Sequence, residues 1–237
     1  MDAANKLIQI AENETKLVEY NENLEICLNG GNVDAKSWYD EFWDDYQNYG
    51  NRTDYSYAFS GVGWSGERLK EIKYPMTPTD ATRMFGKCGT IDRLPDIDFS
   101  KNTNFMATFT EANIKSLGII DTTNASTLNS TFYYCKAESI DEFILKSDGS
   151  QTFSNAFYAA IPLVEIKITG VIGQNGVNFQ WSKSLSKASI TSIVNALSST
   201  TSGLTITLSK TAVDNAFTTE EWDALINTKT NWTISLI

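Results

Sequence analysis

Histidine is absent from all 237 residues, which removes the commonest general base and the commonest metal ligand together. Cysteine is scarce: Cys27, Cys88 and Cys135 are an odd set without CxxC spacing, so a zinc site is not expected. Basic residues are outnumbered, 19 Lys and Arg against 29 Asp and Glu, for a net charge of −10 with no basic run. Nucleic acid and anionic membrane, which both need clustered cations, are therefore poor partners. No stretch approaches the ~20 apolar residues of a membrane span. The start, "MDAANKLIQIAENETKLVEY", has no basic segment leading into an apolar one, so no secretory leader is expected. On that reading the chain is made and kept in a cytoplasm, and its Asn-X-Ser/Thr triplets are composition rather than glycan sites. "GVGWSG" (61–66) lacks the strand-to-helix frame of a phosphate loop, and no nucleophile elbow occurs. No catalytic residue, no metal ligand and no cofactor is assigned, and an enzyme is not expected.

What is present is a rhythm. Phe59, Phe85, Phe109, Phe132 and Phe157 recur at steps of 26, 24, 23 and 25 residues. Four positions before each stand Tyr55, Ala81, Phe105, Leu128 and Phe153; three after stand Val62, Cys88, Ala112, Cys135 and Ala160. The i−4 partners would share a helical face with each Phe. About eight residues further begin the extended stretches "LKEIKY", "LPDIDF", "LGIID", "IDEFIL" and "LVEIKI", several alternating apolar with polar as half-buried strands do. Each unit thus predicts a short helical turn followed by a strand. Self-similarity at this period with one strand per unit points to an α/β leucine-rich-repeat solenoid, in which stacked units bury one shared core. Cys88 and Cys135 fall in the same slot two units apart, about 10 Å between Cα atoms at strand spacing. That exceeds the ~7 Å limit of a disulfide, so both are read as buried free thiols.

The ends differ from the middle. Residues 1–28 predict a polar N-terminal helix whose Leu7, Ile10, Leu17 and Leu24 form a weak seam, so that residues 4–24 could join copies of the chain. "NGGN" makes 29–36 a linker, and 37–237 is read as one capped repeat domain, with repeats over about 54–210. Phe42, Trp43 and Tyr46 predict an N-terminal capping helix, on which Asp40, Glu41, Asp44 and Asp45 read as a solvated face. Residues 186–237 predict a C-terminal cap: a helix over 186–200, the strand "LTITL", a helix capped by Thr218 or Thr219 and a last strand.

"NASTLNSTFYYC" and "TDATRMFGKCGTIDRLPDIDFS" resemble BspA-like leucine-rich repeats, Asn124 and the pair Met84-Phe85 matching best. The "TF" and "AF" pairs depart from the Met-Phe form. This likeness covers roughly residues 54–217. "YDEFWDDYQNYGNRTDYSYAF" and "EEWDALINTKTNWTISLI" also look like leucine-rich-repeat proteins encoded in phages and prophages of Gram-positive gut bacteria. A flat strand face and the Trp, Tyr and Asn/Ser-rich composition suit a binding or structural role. The resemblance implies a phage context and, since a surface adhesin would need a leader, a virion part held in the bacterial cytoplasm before assembly. A cell-surface or secreted adhesin is the alternative. Implied partners are other virion proteins, a host-surface receptor or a glycan. Asp96, Asp98, Glu142, Glu165 and Lys167 are the contact candidates expected to point outward from successive strands. Plain solubility is the competing account of the same five.

Overall fold

The computed structural model describes residues 54–56, 58–61 and 76–237. The predicted N-terminal helix with its 4–24 seam, the linker 29–36, the aromatic segment 37–53, Cys27 and the strand expected at 69–74 lie outside the described residues. The rest is a mixed α/β structure on two parallel sheets. The first has the order β1 (Ile91–Arg93), β2 (Ile114–Asp121), β3 (Ser139–Ile144), β4 (Glu165–Thr169). Register partners such as Ile91 with Ile114, Ser116 with Ser139 and Ser139 with Glu165 lie 23, 23 and 26 residues apart, so each strand is one unit later than its neighbour.

Behind the strands runs a stack of phenylalanines. Ring centroids are 5.3 Å apart for Phe59 and Phe85, 5.7 Å for Phe85 and Phe109, and 5.5 Å for Phe109 and Phe132. They are 4.9 Å apart for Phe132 and Phe157, and 4.4 Å for Phe157 and Phe179. The period-based alignment stops at Phe157; Phe179 extends the stack from β5 (Asn178–Phe179). All six rings are fully buried. A buried aromatic ring removes 150–250 Å2 from water, so this column dominates the core.

The segment around Phe85, Phe109, Phe132 and Phe157 is not a helical turn. Residues two before and two after each of these hold positive φ: Arg83 and Lys87, Ala107 and Glu111, Ser130 and Tyr134, Asn155 and Ala159, all between 50° and 57°. None is β-branched, as that region requires. The resulting run of turns splits the amides into two sets. Met84, Gly86 and Cys88 donate within their own unit, to the carbonyls of Ala81, Arg83 and Phe85. Ala81, Arg83, Phe85 and Lys87 donate to Asn104, Met106, Thr108 and Thr110 of the next unit. An α-helix would keep every amide local; the turns spend every second one on stacking. The i−4 residues are nonetheless all buried. Buried hydroxyls join the same scheme, Thr108 Oγ1 donating to Ala81 at 2.9 Å and Thr131 Oγ1 to Phe105 at 3.0 Å.

The strand expected over "LPDIDF" is also displaced. Pairing ends at Arg93, and Asp98 instead caps a 3-10 turn, Phe99–Lys101, by accepting from Ser100 N. Pro95 lacks the N–H that a continued ladder needs.

After β4 the pattern changes. Helix α1 (Lys187–Ala196) packs along β4, where Ser189 Oγ and Ser192 Oγ accept from Ile166 N at 2.9 Å and Ile168 N at 2.8 Å. The edge of the first sheet is thereby sealed by side chains. The second sheet has the order β5, β6 (Leu204–Leu208), β7 (Trp232–Leu236). Between β6 and β7 lie α2 (Lys210–Ala216), which the sequence pattern does not reveal, and α3 (Thr219–Ile226), capped by Thr218 in a box with Glu221.

Cys88 and Cys135 are free and buried. Burial pushes each thiol up from 9.0 to about 12. Both should resist a thiol reagent at pH 8 in the native protein and react fully in denaturant. Because the unfolded thiols ionise near pH 9 and the folded ones do not, stability should fall as pH rises from about 9 toward 12. A denaturation midpoint that is flat across that window would contradict the burial of these two groups.

Candidate functional site

The outward face of the first sheet is built by a departure from strict alternation. In β3, Ile140 and Phe143 are both buried although three residues apart, and in β2 Leu117 and Ile120 repeat that spacing. A register shift between Ile140 and Phe143 marks the bulge against β4. Two consecutive residues of each strand therefore face outward, Gly118 and Ile119 on β2, Asp141 and Glu142 on β3. Adjacent carboxylates on one face repel unless each has its own cation. Here each has one, on opposite sides. Arg93 reaches across β2 to Asp141 at 2.9 Å and donates to Ser116 Oγ at 3.1 Å on the way. Lys167 on β4 meets Glu142 at 2.8 Å, and Thr169 Oγ1 donates to the same carboxylate.

These pairs shape the titration. The hydrogen bond and charge of Asp141, with Asp96 adding field, hold Arg93 above its ordinary value. Hydrogen bonds from Lys167 and then Thr169 hold Glu142 below the usual carboxylate range. Lys115 is raised by Asp92, which it meets at 3.0 Å. Arg93, Asp141, Lys115 and Asp92 are exposed enough for water to screen them, whereas the Glu142 side chain is partly buried. Arg93→Ala or Asp141→Asn should leave the chemical-denaturation midpoint within error of the parent, and a clear loss would show that the bridge carries the sheet.

Of the five contact candidates, Glu142 and Lys167 form one ion pair. Glu165, two residues before Lys167, accepts from Ser186 Oγ at 2.7 Å and Ser189 Oγ at 3.1 Å, tying β4 to the start of α1. Asp98 is the turn cap, and its hydrogen bonds from Ser100 lower its pKa. Asp96 is exposed, on the loop after β1 rather than on a strand. Asp96 and Asp98 border a cavity of about 470 Å3 with Arg93 and Asp141 on its polar side and Leu94 and Ile119 among its apolar walls. Its volume falls in the range of small-ligand sites. The structure thus gathers Asp96 and Asp98 at one mouth and sets Glu142, Lys167 and Glu165 further across the face. Arg93, Asp141 and Ile119, which is 59% exposed, complete the site and were not singled out from sequence. The signal that marks them is an apolar spacing of three inside a strand.

On the turn side of the stack a different surface forms. Tyr133 and Tyr158 stack at 5.6 Å, with Tyr134 edge-on to Tyr133 at 4.7 Å. Among the described residues no group of three or more His, Cys, Asp or Glu could hold a metal ion. No described helix is long and apolar enough to cross a membrane. No family model matches the chain, and neither the curated proteins nor the solved structures contain a significant match.

Proposed function

We propose that the chain is a non-enzymatic binding and structural protein: a BspA-like leucine-rich-repeat solenoid, closed toward its C-terminus by helix-bearing units. We place it as a tail- or fibre-associated component of a phage or prophage virion, with the strand face available for host or particle contact. The observation that carries the binding part is the outward face of β1–β4. Its charged side chains are already fixed to one another, so a partner would find a preformed surface and lose little side-chain entropy in ordering it. The adjoining cavity gives that face relief. The virion part rests on the sequence resemblance of both ends.

Proteomics of particles purified after prophage induction tests the placement. Stoichiometric recovery with tail proteins is the expected result. Recovery only with the envelope of uninduced cells would instead support a cell-surface or secreted adhesin.

A further inference from the structure

The two sheets end differently. The last strand of the first, β4, has Ile166 N and Ile168 N bound by serine hydroxyls of α1. The last strand of the second, β7, has no such seal among the described residues. Gly203 N donates to Asn231 O, Ile237 N to Leu208 O and Lys210 N to Ile237 O, so residues 231 and 237 turn their backbone groups toward β6. The alternation of a strand places 233 and 235 the same way. Trp232, Ile234 and Leu236 therefore aim their N–H and C=O groups away from the sheet, and no described residue pairs with them.

An open edge is ordinarily blunted by charge, proline or a bulge. "WTISL" has none of these, and its pairing with β6 runs without a register shift. The side chains tell the same story. Ile234 and Leu236 pack only partly on the core, as do Phe217, Trp222 and Leu225 at the same end, and Ile237 is 67% exposed. Helix α3 contains no fully buried residue. Backbone groups and apolar side chains are thus left half-covered together.

We infer that β7 is a dimerisation edge, occupied by β7 of a second copy in antiparallel register about Ile234. The choice of occupant follows from charge and symmetry. In such a pair, Ile234 faces Ile234 and Trp232 faces Leu236, which brings all three outward-bonding residues into hydrogen-bonded positions. A strand meeting itself places like beside like, which is harmless only when it is uncharged. β7 is uncharged, although the whole chain carries −10. The product is a continuous six-stranded sheet with two-fold symmetry, a closed arrangement that does not propagate.

The test uses the full chain with Cys27→Ser, so that an added thiol is the only reactive one. Light scattering at tens of micromolar should give twice the chain mass. Ile234→Lys, which sets two charges against each other across the axis, should give a monomer with an unchanged circular dichroism spectrum. Should that variant fail to fold, Ile234→Cys remains: the paired Cα atoms would be about 5.5 Å apart, within disulfide reach, so mild oxidation should link two chains. A monomeric parent protein overturns the inference. A dimer that survives Ile234→Lys, or that Ile234→Cys does not link, also overturns it, because the contact then lies elsewhere or a different strand covers β7.

Discussion

Phe132→Ala should destabilise the protein by about 3–5 kcal/mol, the range for deleting a buried aromatic ring and leaving a cavity. Phe132 sits in the middle of the column, between Phe109 at 5.5 Å and Phe157 at 4.9 Å, with the edge of Phe143 at 5.4 Å. Its neighbours cannot collapse into the space, because the backbones of adjacent units are fixed by bonds such as Phe109 N to Thr131 O and Phe132 N to Ala156 O. Urea or guanidinium unfolding followed by fluorescence measures the loss directly. A change below about 1 kcal/mol would mean that the ring is not an internal rung.

Gln151→Leu is the second large effect expected. Gln151 is fully buried and uses both ends of its amide. Nε2 donates to Thr122 O at 2.7 Å and Ala125 O at 3.1 Å, while Oε1 accepts from Lys146 N at 2.8 Å. The side chain thus stitches together the loops that follow two successive strands. Leucine keeps much of the volume and strands the buried Ala125 O and the half-buried Lys146 N, each at about 1–3 kcal/mol, so a total of roughly 2–6 kcal/mol is expected. Gln151→Glu separates hydrogen bonding from packing. Burial disfavours the charged carboxylate and raises its pKa. The protonated acid regains a donor, so this variant should be weakest at neutral pH and recover as pH falls. A Gln151→Glu protein equally unstable at pH 5 and pH 8 would show that the amide's bonds are not what the site needs.

The column was legible in the sequence because a fully buried ring leaves few substitutes, and its period survives units of different length. The i−4 positions and the +3 positions Cys88, Ala112, Cys135 and Ala160 were legible for the same reason, whereas Val62 lies outside the described residues. The backbone between them was not. Arg83, Lys87, Glu111 and Tyr134 carry no mark of positive φ, which glycine or asparagine would have given, so spacing alone suggested a helix. On the strand face, alternation identified Glu142, Glu165 and Lys167 as outward but could not anticipate that Asp141 faces the same way. The bulge that turns it outward is a property of β3 against β4, not of β3 alone. Asp98 looked like a surface carboxylate and is a turn cap, because Pro95 ends the ladder before it. The C-terminal helices could be read in part from the Thr218 capping box, whereas the seven residues of α2 are too few for a period to show.

The division of amides in the turn runs gives this protein two clocks for hydrogen exchange. Arg83, Phe85 and Lys87 hold their protons through the unit that follows, whereas Met84, Gly86 and Cys88 hold theirs through their own. If two neighbouring units part without unwinding, the first set exposes its protons to solvent and the second keeps them. Unwinding of one unit releases both sets at once. Ala107, Phe109 and Glu111 against Thr108, Thr110 and Ala112 repeat the arrangement one unit later, as do Ser130, Phe132 and Tyr134 against Thr131, Tyr133 and Cys135 after that. Neighbouring residues along one stretch of chain thus report on two different motions, and the ratio of their exchange rates says, rung by rung, whether the stack slides apart or melts.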